Sequence, residues 1–379
     1  MKLRKTIRDK FTSLFGKSGS VYASAGRINL IGEHTDYNGG FVFPGAINKV
    51  IMAEILPNGT DTINVFSIDV DEEANFCLKE NDAPSQSWAR YIFGVCREII
   101  KRGGVVKGFD AVFAGNVPLG AGLSSSAALE SCFAYAINDL FNDNSINKIE
   151  LARIGQSTEH NYCGVNCGIM DQFASVMGQK SKLMRLDCRS MEFEYFPFES
   201  YEYELILVDS RVKHELADSP YNKRRQSCER VAKRLGLETL RDATMDMLTN
   251  IIHDITTEDY LRAKFVIEEN ERVLAVCDAL NRGDYCTVGE KMYETHNGLS
   301  KEYAVSCEEL DFLNNLAKEC GVTGSRIMGG GFGGCTINLV RRDMSKKFVE
   351  CTKNRFYEKY GIEPQIYPVV ISDGARKLE

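Results

Sequence analysis

Acidic, imidazole and hydroxyl side chains crowd two short stretches of the chain, and glycines flank both. The first runs Gly26-Arg27-Ile28-Asn29-Leu30-Ile31-Gly32-Glu33-His34-Thr35-Asp36-Tyr37-Asn38-Gly39-Gly40, with Arg27, Glu33, His34 and Asp36 inside ten residues. Donors and acceptors at that density suit a polyol or sugar, whose hydroxyls each need an oriented partner. The plainer alternative is a turn with solvated polar residues. The second stretch is Pro118-Leu119-Gly120-Ala121-Gly122-Leu123-Ser124-Ser125-Ser126-Ala127-Ala128-Leu129-Glu130. A strand-like segment, Phe109–Val117, precedes it, and helical apolar spacing follows through Leu129, Cys132, Phe133, Ala136, Ile137 and Leu140. Strand, small-residue turn and helix start aim several backbone N–H groups and the positive helix end at one point, which suits a phosphate. Helix capping alone calls for a single serine, and here three stand in a row. This is not a Walker A loop, because no lysine follows the glycines.

A third stretch, Gly329-Gly330-Gly331-Phe332-Gly333-Gly334, formally matches the dinucleotide fingerprint. That fingerprint needs a helix directly after it and a long α/β domain beyond. Here the alternating residues Cys335–Val340 read as a strand, so a dinucleotide fold is not expected. Five glycines in six residues fit a hairpin, or a backbone that must come close to a ligand or another loop. Asp171 stands at a loop-to-helix junction where capping is the ordinary role, Glu159 and His160 end a helix, and Tyr221 precedes the basic run Lys223-Arg224-Arg225. None of these residues carries a function by itself.

These stretches sit in a chain of ordinary globular composition: 379 residues, 44% hydrophobic and 26% charged. A formal net charge of −7 argues against a dedicated nucleic-acid or anionic-membrane binder. Thirteen cysteines are scattered without a pair of C-x-x-C motifs, so zinc is not expected. Reduced, mostly buried thiols point to the cytoplasm. Met1–Gly16 has Leu3, Ile7, Phe11, Leu14 and Phe15 at helical spacing and lacks the unbroken apolar core of a signal peptide. No apolar run reaches the roughly 18 residues of a membrane span. Strands are expected at 50–56, 62–68, 205–208 and 365–370. Helices are expected at 85–101, 149–160, 221–280, 283–304 and 345–360. Strands first and helices later predict an α+β protein of two domains, 1–190 and 191–379, meeting at a cleft.

The three glycine-bearing stretches, in this order and spacing, resemble the GHMP kinases. Within that superfamily Gly26–Tyr37 is similar to the signature of the galactokinase family. Pro118–Ser126 resembles the shared phosphate loop and Gly329–Thr336 the third motif, with Gly330 where many members have alanine. Cys167-Gly168-Ile169-Met170-Asp171-Gln172, Ser306–Asp311 and Ser372–Ala375 match as well. The resemblance implies the two-domain GHMP fold with its active site between the domains, the last strand packing back on the first domain. It implies ATP-dependent phosphorylation of D-galactose at O1 by a cytoplasmic monomer with no nucleic-acid or membrane partner. Carried over by position, Gly120, Ala121, Gly122, Leu123, Ser124, Ser125 and Ser126 would wrap the ATP phosphates, with Ser67 and Trp88 near the nucleotide. Ser126 and Glu159 would hold Mg²⁺. Glu33, His34, Thr35, Asp36, Gly168 and Tyr221 would hold the sugar. Asp171 would accept the hydroxyl proton with Arg27 beside it. Related members act on N-acetylgalactosamine or are non-catalytic sensors that shorten the Ser-Ser-Ser-Ala-Ala run, which is intact here at 124–128.

Overall fold

The helix that follows the second glycine stretch is apolar on nearly every side, with Ala127, Ala128, Leu129, Cys132, Phe133, Ala134, Ala136 and Ile137 all buried. A helix of that kind must lie inside the protein rather than on it. In the computed structural model, which describes residues 2–80, 82–118, 120, 122–199, 201–212 and 220–378, it does. In chain order the first half comprises α1 (Lys2–Phe15), β1 (Ser20–Asn29), β2 (Phe41–Val42), β3 (Pro44–Pro57), β4 (Thr62–Ser67) and β5 (Glu72–Cys77). It continues with α2 (Ser87–Lys101), β6 (Phe109–Gly115), the buried helix α3 (Ser125–Phe141), α4 (Lys148–Thr158), α5 (Met170–Met177), β7 (Lys182–Asp187) and β8 (Phe193–Pro197). Then come β9 (Tyr203–Asp209), α6 (Pro220–Arg234), α7 (Met245–Asn250), α8 (Thr257–Asn281), α9 (Tyr285–Lys301) and α10 (Glu308–Glu319). The chain closes with β10 (Gly324–Ile327), β11 (Cys335–Arg341), α11 (Ser345–Tyr360), β12 (Gln365–Val369) and β13 (Arg376–Lys377).

A six-stranded sheet in the order β13-β1-β3-β6-β4-β5 carries α3 and α5 against it, and α1 packs on β3 and β6. Ile7 and Phe11 of α1 are buried with Val112 and Ala114, as its helical spacing predicts, while Leu14 points to solvent. A four-stranded sheet, β10-β11-β9-β12, forms in the second half, and β2, β7 and β8 make a small third sheet. Residue 190 falls in the turn of the β7–β8 hairpin, so a division drawn there would cut paired strands. The halves also share a core. Leu205, Leu207, Ile337 and Leu339 of the second sheet belong to the same apolar cluster as Ile28, Phe43 and Phe133. The chain finally returns to its start: β13 pairs with β1 through Tyr22–Lys377 and Ala23–Arg376, and Gly374 and Ala375 hydrogen-bond to the carbonyls of Gly178 and Ser175.

Two local expectations change. The helical pattern from Tyr221 to Leu280 breaks into α6, a turn at Leu240–Asp242, α7 and α8. Thr239, Thr244 and Thr256 each accept a backbone N–H in their side chains and start a new element. Secondly, the thiols are less buried than expected: Cys96, Cys132, Cys228, Cys277 and Cys335 are buried, but most others are partly accessible and Cys286 is exposed. All are free. Among the described residues no helix is long and apolar enough to cross a membrane.

Phe133 anchors α3 by packing edge-on against Phe113 and tilted against Phe109. Phe133→Ala is expected to lower stability by about 3–5 kcal/mol, read as a fall in the urea midpoint of the first unfolding transition. A change under ~1 kcal/mol would show that α3 is not held by this contact.

Candidate active site between the glycine loops

The turn before α3 delivers what the sequence suggested, by a different use of its first serine. Ser124 takes the left-handed conformation with φ of 56° and makes no side-chain cap to α3. Its hydroxyl instead donates to Asp171 Oδ2, at the start of α5. Capping is therefore excluded for Ser124, and the first N–H groups of α3 face an open cavity. That cavity, of about 520 Å³, is lined by Gly120, Gly122, Leu123, Ser124, Ser125 and Ser126 on one side. Gly329–Gly334, the loop of the β10–β11 hairpin, lines the other. Ala121 lies outside the described residues. Backbone conformation is the first reason for these glycines, since Gly120, Gly122, Gly329, Gly331, Gly333 and Gly334 all have positive φ; the loops also come close, and a Cβ on Gly122 would meet Met328 O at 3.3 Å.

A second cavity, of about 500 Å³, opens beside the first and is lined by Glu33, His34, Asp36, Glu159, Gly168 and Tyr221, among others. Arg27, Asp171, Ser126, Gly329 and Gly330 line both. Arg27 and Asp171 form a bidentate pair at this shared wall, Nε to Oδ1 at 2.8 Å and Nη2 to Oδ2 at 2.7 Å. Arg27 Nη1 also donates to Gly122 O at 2.5 Å, which ties the guanidinium to the phosphate-type loop. Burial works against the Arg27 charge, but the carboxylates of Asp171 and Glu33 outweigh it and hold its pKa above the ordinary value. Ser126 Oγ donates to Glu159 Oε1 at 2.9 Å, where α4 passes into a π-helical turn.

The acidic loop is held from behind. Glu269 of α8 accepts from Gly32 N at 2.8 Å and Glu33 N at 3.2 Å, and is itself paired with Arg272. His34 has φ of 61°, and its Nδ1 meets the Tyr37 hydroxyl at 2.8 Å, which in turn meets Tyr303 at 2.8 Å. Burial, reinforced by Arg224 and Arg326, takes the His34 pKa down to about 3, so the imidazole is neutral. Among the described residues its buried Nε2 makes no well-formed hydrogen bond. Asp36 is pushed up to about 7 by burial and then by the Asp171 charge. Gly168 makes room for it: a Cβ there would sit 1.7 Å from Asp36 Oδ2. Gly330 has no such constraint, since an added Cβ would meet the Tyr221 ring at 3.4 Å, an ordinary contact.

Three expected positions fall elsewhere. Thr35 is fully buried and directs its hydroxyl to the carbonyls of Gly32 and Phe41, so it braces the loop and lines neither cavity. Ser67 is buried in β4, and Trp88 of α2 gives its indole N–H to Glu72 at 3.0 Å; neither lines the cavities. Tyr91, one turn beyond Trp88, lines the phosphate-type cavity instead. Helical spacing alone could have offered Tyr91, but not its preference over Trp88. Arg326 was also missed. Its charge stands in the short strand Gly324–Ile327, whose four residues are all buried, and a buried charge needs a partner.

The galactokinase galactose-binding signature matches residues 9–57, the GHMP kinases N terminal domain 90–179 and the GHMP kinases C terminal domain 277–358. A galactokinase of Thermosipho africanus is 40% identical over 93% of this chain and 98% of its own. One of Clostridium acetobutylicum is 38% identical over the whole of both. The crystal structure of Lactococcus lactis galactokinase complexed with galactose superposes with a TM-score of 0.94 at 31% identity, covering 100% of each chain. Methanococcus jannaschii mevalonate kinase, 18% identical with a TM-score of 0.67, shares the fold.

The raised Asp36 carboxyl makes stability depend on pH with a definite sign. Unfolded, an aspartate titrates near 4, so between about 4 and 7 the folded protein holds the extra proton. The stabilisation is complete below that window and is lost as pH rises through about 7. Asp36→Asn mimics the protonated form. The melting temperature of the unaltered protein is expected to fall relative to this variant between about pH 5 and 8, by differential scanning fluorimetry. Parallel profiles would contradict the assignment.

Proposed function

The chain belongs to the galactokinase family of the GHMP kinases and phosphorylates galactose with ATP, and from that premise we propose how its own residues divide the work. The observation that carries the reading is the Arg27–Asp171 pair on the wall common to both cavities. Galactose fills the cavity of Glu33, His34, Asp36, Gly168 and Tyr221, and the ATP phosphates lie against Gly120, Gly122 and the N-terminus of α3. The sugar O1 hydroxyl then faces the γ-phosphorus beside Asp171. Oxygen 1 attacks phosphorus, its proton passes to the Asp171 carboxylate, and the bond to the β-phosphate oxygen breaks, giving galactose 1-phosphate and ADP.

Phosphoryl transfer asks the protein mainly for position and for donors where charge spreads. The free N–H groups of α3 and the Arg27 guanidinium supply those donors. With the guanidinium beside it, Asp171 orients the hydroxyl first and takes its proton late. The groups that hold the sugar are chemically distinct: Asp36 near half-protonated at neutral pH can donate as well as accept, and neutral His34, its Nδ1 engaged by Tyr37, presents Nε2.

The residues at Ser126 and Glu159 fit Mg²⁺. They are hard oxygen donors side by side, Ser126 on the wall common to both cavities and Glu159 in the second, and among the described residues no cationic side chain pairs with Glu159. Burial raises the Glu159 pKa, the condition a cation would reverse. Among the described residues no larger group of potential metal ligands forms, in keeping with an ion that takes its remaining oxygens from phosphate and water. When bound, the ion neutralises charge on the β- and γ-phosphates. The free thiols support a cytoplasmic location, and the protein is read as a monomer.

Purified protein with Mg-ATP is expected to release ADP with galactose, and little with N-acetylgalactosamine or arabinose, in a coupled assay. Preference for either rival sugar would redefine the substrate. Asp171→Asn is expected to lower kcat by roughly 10²–10⁴-fold with little change in galactose binding. Near-normal turnover would remove the base role. Gly168→Ala displaces the Asp36 carboxylate and is expected to raise the KM for galactose by at least about tenfold, with KM for ATP less affected.

A further inference from the structure

Arg326 is the largest fully buried side chain in the protein, lies on β10, and lines neither cavity. Burying a guanidinium is costly unless every donor finds an acceptor and the charge finds a partner. Here Nε donates to Leu30 O at 2.8 Å, Nη1 to Ile327 O, and Nη2 to Asn29 O and to Glu33 Oε1, the last at 3.0 Å. Two of those carbonyls lie where β1 runs into the acidic loop, so a residue of the second sheet grips the exit of the first. A purely structural plug would need only bulk at this point. The fork meets three backbone carbonyls, and the charge meets Glu33.

Glu33 uses one oxygen for the protein and keeps one free. Oε1 accepts from Arg326 Nη2 at 3.0 Å and from the Gly329 backbone N–H at 3.0 Å. Among the described residues no donor reaches Oε2, and Glu33 lines the sugar cavity. Gly329 opens the loop that lines the phosphate-type cavity, at φ of 84°, a conformation open chiefly to glycine. One carboxylate therefore touches both cavities: directly in one, and in the other through the first amide of the glycine loop.

Building on the function proposed above, we infer that Arg326 is a positioning residue that locks Glu33 and Gly329 in register, so that galactose and nucleotide bind synergistically through this carboxylate. A ligand that fixes Glu33 fixes the start of the glycine loop, and by linkage a nucleotide that orders the loop tightens the sugar contact to the same degree. Arg326→Lys keeps the charge and loses the fork.

The test uses the full chain, starting from its turnover of galactose with Mg-ATP; failure there would remove the underlying reading, while every later result bears on Arg326 and Glu33 alone. Arg326→Lys is expected to raise the KM for galactose roughly ten- to hundred-fold and the KM for ATP in the same direction, with kcat less affected. Glu33→Gln keeps the shape of the side chain and decides the matter if Arg326→Lys does not fold. Titration of a non-hydrolysable ATP analogue with and without galactose is expected to show tighter binding with sugar in the unaltered protein and no such gain in Glu33→Gln. A lowered melting temperature with both KM values unchanged would make Arg326 structural only. Equal nucleotide affinity with and without galactose in the unaltered protein, or a gain kept in Glu33→Gln, would overturn the coupling.

Discussion

The structure depends most on holding a charged pair, Arg27 and Asp171, with the guanidinium buried and the carboxylate partly open toward two cavities. Such a pair is expensive in a low-dielectric setting, and the mutual attraction repays that cost only when the remaining donors and acceptors are also satisfied. The fold meets the requirement from three directions. The phosphate-type loop offers the Gly122 carbonyl to the guanidinium, Ser124 offers its hydroxyl to the carboxylate, and β1 and α5 hold the two backbones on the same apolar cluster. The left-handed Ser124 follows from this: a serine turned to serve Asp171 cannot also cap its helix. Backbone strain at one residue is the counterpart of an ordered active-site carboxylate.

Around that pair the site is acidic, although ATP is an anion. Glu33, Asp36, Glu159 and Asp171 all face the cavities, against Arg27 at the wall. The division is spatial. The acids sit where a neutral polyol must be recognised, and each hydroxyl there wants an acceptor. The other cavity presents the backbone N–H groups at the start of α3, which carry no net charge, with Arg27 at its wall. Crowding of carboxylates then explains Asp36, whose proton is retained because its burial and its neighbour Asp171 both oppose a second nearby charge.

Much of this was legible in the sequence because glycine and serine spacing reflects backbone requirements, which are local. The strand–turn–helix around Gly120–Ser126 and the hairpin at Gly329–Gly334 follow from such rules. So does the assembly of Arg27, Glu33, His34, Asp36, Glu159, Gly168, Asp171 and Tyr221 around adjoining cavities, once the resemblance fixed their roles as expectations. What failed was side-chain direction. Thr35 belongs to the right loop but faces inward, its hydroxyl donating to the Gly32 and Phe41 carbonyls while its neighbours His34 and Asp36 line the cavity. Trp88 and Tyr91 share a helix face, and only the three-dimensional path of α2 decides which of them reaches the nucleotide side. Residue 190 lies in the turn of the β7–β8 hairpin, where no change of composition marks a boundary.

The return of the chain to its own beginning has a consequence for biosynthesis. β1 has its outer edge closed by Arg376 and Lys377, and α5, which starts at Asp171, is clasped by Gly374 and Ala375. A nascent polypeptide that has already collapsed its first sheet therefore waits, with a bare strand edge, until residues more than three hundred positions later leave the ribosome. Contacts of such span are slow to close, and an unpaired edge is a template for misassociation in the interval. The clasp on α5 thus ties closure of the first sheet to contacts of very long sequence separation.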